Sequence, residues 1–103
     1  MPIRALLAAL FLTLGAAPLA PDARDDAKKH VEFGISVAQR GLWREAIFQW
    51  KRAVQIDPTY AAAYNNHAIA YEHEGELDNA LEAYERALQL EPDNAMIQQN
   101  YEL

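Results

Sequence analysis

Three histidines and many carboxylates are the side chains of this sequence that could bind a metal ion or transfer protons. The densest group places His73 among Glu72, Glu74 and Glu76. Because neighbouring residues on a helix point in different directions, these four side chains cannot converge on one ion unless the turn refolds around it. We therefore interpret His73 as a structural or solvated histidine, and we expect no metal site.

Other catalytic chemistry finds little support in the residue types. Ser36 stands outside any nucleophile motif, and the sequence has no cysteine and no glycine-rich phosphate loop. The lack of cysteine excludes disulfides and thiolate metal sites. A net charge of −6 argues against nonspecific nucleic-acid binding, which needs a basic surface. These features predict a protein that is not an enzyme and uses no cofactor.

The first twenty residues differ from the remainder. Residues 1–4 carry a positive charge, residues 5–14 are almost wholly apolar, and small residues follow. This layout is typical of a secretory signal peptide over residues 1–20, followed by a linker at 21–26. The apolar run is shorter than the roughly 20 residues of a membrane-spanning helix. We expect a secreted or periplasmic protein of a bacterial envelope, or an inner-membrane tether if the signal stays uncleaved.

A period of 34 residues organises the rest of the chain. Shifting the sequence by this length aligns small, aromatic and proline positions together. The identical pairs are Ala27/Ala61, Ile35/Ile69, Gly41/Gly75, Ala46/Ala80, Arg52/Arg86, Ala53/Ala87, Gln55/Gln89 and Pro58/Pro92. A fixed period of this size indicates units that each form one helix hairpin and bury an apolar face on their neighbour.

Each unit predicts two helices separated by a glycine. In the second unit, apolar residues recur at helical spacing over 61–73, Gly75 ends that helix, and another runs over about 78–90. The first unit predicts helices over 28–40 and about 44–56 in the same way. The expected fold class is all-α, made of antiparallel helix-turn-helix repeats. The repeats span 27–60 and 61–94, with a partial third repeat or closing helix at 95–103.

Small residues are expected where the two helices of a hairpin cross. Gly34 in the first repeat and Ala68 in the second lie opposite alanines of the following helix, which lets the backbones approach closely. A large aromatic residue fills the space beyond each crossing, Trp50 in the first repeat and Tyr84 in the second.

The order of these positions resembles the tetratricopeptide repeat over residues 27–94. The pattern runs from a small residue through an aromatic or valine, a glycine, an alanine, an aromatic, a further alanine and a proline. The resemblance implies a short α-solenoid that binds another polypeptide. Two positions depart from the family. His30 stands where a large aromatic is usual and His67 where leucine is usual, and we expect hydrogen-bonded core histidines at both.

The resemblance also implies that the first helix of each hairpin lines a concave groove. Helical spacing then assigns the groove residues as Lys28, Val31, Ile35, Ala38, Gln39, Ala62, Asn65, Ile69, Glu72, His73, Met96 and Gln99. Such a mildly apolar groove with amides suits an extended or helical peptide. The alternative is that Val31, Ile35 and Ile69 serve ordinary packing between helices.

Charge is distributed unevenly between the two repeats. Residues 27–60 hold six basic and three acidic side chains, whereas residues 61–94 hold one basic and eight acidic. This polarity favours stacking of copies or orientation on a charged partner. The leading hypothesis is an exported adaptor or scaffold that binds a protein or peptide. The alternatives are a self-assembling structural unit and a membrane-tethered accessory subunit of an envelope complex.

Overall fold

Five α-helices make up the regular structure of residues 19–102, the part of the chain that the computed structural model describes. They are α1 (Ala23–Gln39), α2 (Trp43–Ile56), α3 (Ala61–His73), α4 (Leu77–Leu90) and α5 (Ala95–Glu102). The helices form two hairpins, α1–α2 and α3–α4, with α5 packed on α4. Strands are absent from residues 19–102, and the predicted all-α fold is confirmed.

The predicted signal peptide falls almost entirely on residues 1–18, which lie outside the described residues. Over the residues that the structure does describe, no helix combines the length and apolar character needed to cross a membrane.

Two glycines close the hairpins at equivalent places. Gly41 and Gly75 have φ angles of 80° and 78°, in the left-handed region that favours glycine. Their amides donate to the carbonyls of Ala38 and Glu72, at 2.9 and 3.0 Å, and so satisfy the last turn of each first helix. The sequence prediction of a glycine turn in each repeat is confirmed.

The crossing of α1 and α2 depends on the absence of a side chain at Gly34. A Cβ placed there would lie only 2.9 Å from Cδ1 and Cε2 of Trp50. The buried indole also donates from Nε1 to the Val31 carbonyl at 3.2 Å. In the second hairpin Ala68 and Tyr84 belong to one buried cluster. The close approach expected at both crossings is confirmed.

The second hairpin packs on the first through small side chains of α3. Ala63 and Ala70 are fully buried and join the cluster that contains Trp50. A similar junction joins α4 to α5, where Ala87 and Ile97 share a buried cluster. Each apolar face of a hairpin is therefore covered by the next helix along the chain, as expected for stacked repeats.

Helix α1 begins within the segment 21–26 that was expected to be a linker. Ala23 is buried, and Arg24 donates from Nε to Asp57 Oδ2 at 2.6 Å. The Arg24 guanidinium also lies 4.7 Å from the centre of the Tyr60 ring. These contacts fasten the extra turn to the loop between the hairpins, so the helix starts five residues earlier than the repeat pattern indicated.

The two histidines at unusual repeat positions have different surroundings. His30 Nδ1 lies 2.6 Å from Gln49 Oε1, in agreement with the expected hydrogen-bonded histidine. His67 stacks on Tyr71 at 4.3 Å, but its buried Nε2 has no hydrogen-bond partner among residues 19–102, so the expectation is wrong there. Burial, with a smaller contribution from Lys51, lowers the pKa of His67 from 6.5 to about 4.

We expect the free energy of unfolding to decrease as the pH is lowered, because of His67. The unfolded chain protonates His67 near pH 6.5 and the folded protein only near 4, so the free energy of unfolding decreases as the pH drops between these values. Because the ring is partly accessible to water, we expect a loss of about 1–2 kcal/mol. Urea unfolding at pH 7 and pH 4.5 measures it. The variant His67→Leu should remove this part of the pH dependence, and His30→Leu should not.

Candidate peptide-binding groove

A pocket of about 240 Å³ lies where α1, α2 and α3 meet. Its walls are mainly apolar, with one amide side chain from each of the two first helices. The lining residues are Ile35, Ala38, Gln39, Trp43, Trp50, Asn66 and Ile69. We call it the first groove pocket. It forms only when the second hairpin packs on the first, because α3 supplies one wall.

Aromatic rings give this pocket its shape. The Trp43 and Trp50 rings meet edge to face, with centroids 6.5 Å apart. The His73 ring stacks on the Trp43 ring, with centroids 4.1 Å apart and 17° between the planes. His73 therefore holds a tryptophan of the pocket in place, which is a packing role across the junction of the two hairpins.

Two amide side chains of the first groove pocket offer hydrogen-bonding atoms to a ligand. Asn66 donates from Nδ2 to the Ala62 carbonyl at 2.8 Å, which fixes the side chain and leaves Oδ1 to accept a peptide N–H. Gln39 is exposed and has both donor and acceptor atoms. An apolar floor with amides at its edge is a common design of peptide sites.

A second groove pocket, of about 190 Å³, lies one repeat further along, where α3, α4 and α5 meet. Four positions recur at the 34-residue spacing, namely Ala38/Glu72, Trp43/Leu77, Trp50/Tyr84 and Asn66/Asn100. Here the wall includes the carboxylate of Glu72. Burial first, and then the hydrogen bond to Glu72, raise the pKa of Tyr84 well above its usual 10, so its phenol stays a donor.

In the structure, some predicted groove residues line a pocket, some are exposed elsewhere and some are buried. Ile35, Ala38, Gln39 and Ile69 line the first groove pocket, and Glu72 lines the second. Others are exposed but lie outside the lining of both pockets. These are Lys28, His73, Met96 and Gln99.

Two groove assignments are wrong because their side chains are buried. Val31 belongs to the core cluster beneath Trp50. Asn65 is buried between hairpin and closing helix, where its Oδ1 accepts a hydrogen bond from Asn100 Nδ2 at 3.1 Å. Both positions sit on the side of the first helix that faces its packing partners. They stabilise the fold and are not available to a ligand.

Alanine at Asn65 is therefore expected to affect folding. The change removes the acceptor of Asn100 and should lower the free energy of unfolding by about 1–2 kcal/mol. Gln39→Ala, at an exposed position, should change it by less than about 0.5 kcal/mol. Chemical unfolding of both variants provides the comparison, and equal stability of the two would contradict the role of Asn65.

Several lining residues were not among the sequence assignments. Trp43 and Leu77 come from the start of the second helices, and Asn66 and Asn100 from the first helices. The 34-residue spacing pairs Trp43 with Leu77 and Asn66 with Asn100. This spacing was the signal in the sequence that could have identified them. Among residues 19–102, no three histidine, aspartate or glutamate side chains are grouped so that they could hold a metal ion.

The sequence matches two models of one family. The model described as Tetratricopeptide repeat matches residues 61–94, and the one described as TPR repeat matches residues 37–75. The Type IV pilus assembly protein PilF of Pseudomonas aeruginosa is 34% identical over 86 residues, which are 82% of this chain and 34% of that protein.

The chain is also similar to a chloroplastic protein and to a protein of known structure. The chloroplastic tetratricopeptide repeat domain-containing protein PYG7 of Arabidopsis thaliana is 36% identical over 73 residues, 71% of this chain and 24% of that protein. The chain thus spans only about a quarter to a third of these relatives. The crystal structure of MamA superposes with a TM-score of 0.69 at 28% identity, over 78% of this chain and 46% of that one. With these matches, and with five helices in glycine-closed hairpins over residues 19–102, the chain belongs to the tetratricopeptide repeat family.

Proposed function

We propose that this protein is an exported, non-enzymatic adaptor that binds an extended segment of another protein along its two groove pockets. The observation that carries the proposal is the first groove pocket, in which Ile35, Trp43 and Ile69 form an apolar site beside the amides of Gln39 and Asn66. Tetratricopeptide repeats are protein-interaction modules, and the match to a pilus assembly protein supports a place in the envelope.

The two pockets favour a ligand with two kinds of side chain. The first groove pocket suits a bulky apolar residue, and the amides at its edge suit the adjoining backbone. The second pocket contains the Glu72 carboxylate and the protonated Tyr84 phenol. A basic residue of the ligand would pair with Glu72 there. The preferred segment is therefore apolar at one point and basic at another.

Selection from a random peptide display library tests the groove. Peptides selected on the unchanged protein should bind Ile69→Glu at least about tenfold more weakly, since a carboxylate would enter the apolar pocket without a partner. The control is Gln55→Glu, an exposed change of similar charge outside both pockets. Sequences enriched in the selected pool should contain the apolar and basic residues described above. Equal binding to both variants would contradict a groove site.

Export rests on the sequence pattern of residues 1–20. The mass of the mature chain after expression in a bacterium with a periplasm tests it. Loss of about the first twenty residues, together with recovery from the periplasm, is expected for a cleaved signal peptide. Retention of Met1 in a membrane fraction would instead support the membrane-tethered accessory subunit.

A further inference from the structure

The first repeat has an aromatic pocket on a different side from the groove. It lies between α1 and α2, has a volume of about 450 Å³, and none of its residues lines either groove pocket. Phe33 and Phe48 contribute its apolar surface and are 54% and 65% exposed. Two arginines and one glutamate also line it. These are Arg40, Arg44 and Glu45.

Hairpin packing does not explain the two phenylalanines. The equivalent pocket of the second repeat has His67 in place of Phe33 and Glu82 in place of Phe48. The second hairpin folds in the same way with these polar residues. Exposed phenylalanines that the hairpin does not require indicate a surface that binds a partner.

A complementary surface lies on the second repeat, at the start of α4. Leu77 and Leu81 are 63% and 44% exposed and, four residues apart, share one face of the helix. Exposed acidic residues flank them along the chain, including Glu76, Asp78 and Glu85. Their equivalents in the first repeat are Trp43 and Ile47, which the following helix partly covers.

We propose that a second copy of the chain inserts Leu77 and Leu81 of its helix α4 into the aromatic pocket of the first copy. The leucines would contact Phe33 and Phe48, while the acidic residues of α4 approach Arg40 and Arg44. The pairing agrees with the overall charge, since the repeat with the pocket has six basic and three acidic residues and the other has one and eight. Buried apolar contact then supplies affinity and charge supplies orientation.

The contact is heterologous, because the two surfaces belong to different repeats of one chain. Every docked pair retains one free aromatic pocket and one free α4 face, so further copies add in a row. Leu77 and Leu81 also line the second groove pocket. A docked copy therefore competes with the proposed peptide for the second groove pocket and leaves only the first groove pocket open. The inference goes beyond the proposed groove function and does not depend on it.

Cysteine cross-linking of the intact chain tests the pairing, because the sequence has no cysteine of its own. A Phe48→Cys copy is mixed with a Leu81→Cys copy of different mass under mild oxidation. The mixed disulfide should form about tenfold faster than with Gln89→Cys, an exposed position near the other end of α4. Phe48 and Leu81 are both exposed, so replacing them with cysteine leaves the core intact. Circular dichroism of each variant checks that the helices remain.

Two further measurements separate this pairing from other contacts. Adding Arg40→Glu and Arg44→Glu to the Phe48→Cys copy should slow the formation of the mixed disulfide, and so should high salt.

In sedimentation, the Phe48→Glu variant alone and the Leu81→Glu variant alone should each fail to associate. A mixture of the two should yield pairs only. Equal rates with Leu81→Cys and Gln89→Cys, or a dominant Phe48→Cys homodimer, would overturn the proposal. A monomeric unchanged chain would overturn it as well.

Discussion

Replacing Gly34 with alanine is expected to destabilise the protein, although alanine favours a helix over glycine by about 1 kcal/mol. The new Cβ would lie 2.9 Å from two atoms of the Trp50 ring, inside van der Waals contact. The ring has little freedom to move, since it is buried and its Nε1 donates to the Val31 carbonyl. We expect a net loss of about 1–3 kcal/mol, measured by urea unfolding.

A second substitution tests whether the clash is the cause. At the equivalent helix crossing, the second repeat has Ala68 in place of glycine and the smaller Tyr84 in place of tryptophan. Gly34→Ala combined with Trp50→Tyr copies that pair into the first repeat. We expect the double variant to be more stable than the sum of the two single losses by at least about 1 kcal/mol. Additive losses would mean that the two positions do not share one packing space.

The repeat period accounts for much of what the sequence predicted correctly. Aligned glycines, alanines and aromatics determine where each hairpin turns and where its helices cross, because those positions depend on contacts within one repeat. Such contacts within one repeat explain the turns at Gly41 and Gly75, and also the crossing of Gly34 with Trp50.

The groove was harder to predict because it forms between repeats. Helical spacing shows which residues share a face, but the crossing of neighbouring hairpins decides which face is left open. Val31 and Asn65 were therefore assigned to the groove although they face the packing partners of their helices. Trp43 was missed because it comes from a second helix, and only the meeting of three helices brings it into the first groove pocket.

The early start of α1 also depends on a contact that the periodicity does not contain. Arg24 precedes the repeat pattern, and Asp57 lies 33 residues later in the loop between the hairpins. The local sequence has signals of a helix start, with Asp22 at the N-cap and Asp25 and Asp26 in the first turn, but they lie outside the repeat pattern. The contact with Asp57 then fastens this added turn to the folded loop.

Asp57→Ala is expected to be among the most damaging single changes in a loop of this protein. The carboxyl group is 1% exposed and accepts bonds from Arg24 Nε at 2.6 Å, from the Thr59 amide at 2.9 Å and from the Thr59 hydroxyl at 2.6 Å. Alanine would leave the Thr59 amide without this acceptor and remove the ion pair with Arg24. We expect a loss of about 2–3 kcal/mol in urea unfolding at neutral pH.

Matched controls separate the buried carboxylate from a general effect on the loop. Arg24→Ala should cost only about 0–1 kcal/mol, because the guanidinium is half-exposed and Thr59 still satisfies Asp57. Glu91 is the equivalent residue one repeat later and is exposed, so Glu91→Ala should change stability by less than about 0.5 kcal/mol. A similar loss for Asp57→Ala and Glu91→Ala would contradict a special role for the buried carboxylate.

The pH dependence provides an independent test of the same group. Burial alone would raise the pKa of Asp57, but the bonds from Thr59 and Arg24 outweigh it and hold the pKa below its usual 3.8. A lowered pKa in the folded state stabilises the fold above 3.8, and this contribution is lost as pH falls through 3.8 and below. The difference in stability between the unchanged protein and Asp57→Asn should therefore shrink between pH 5 and pH 2.5. A difference that stays constant over this range would show that the charge of Asp57 does not stabilise the loop.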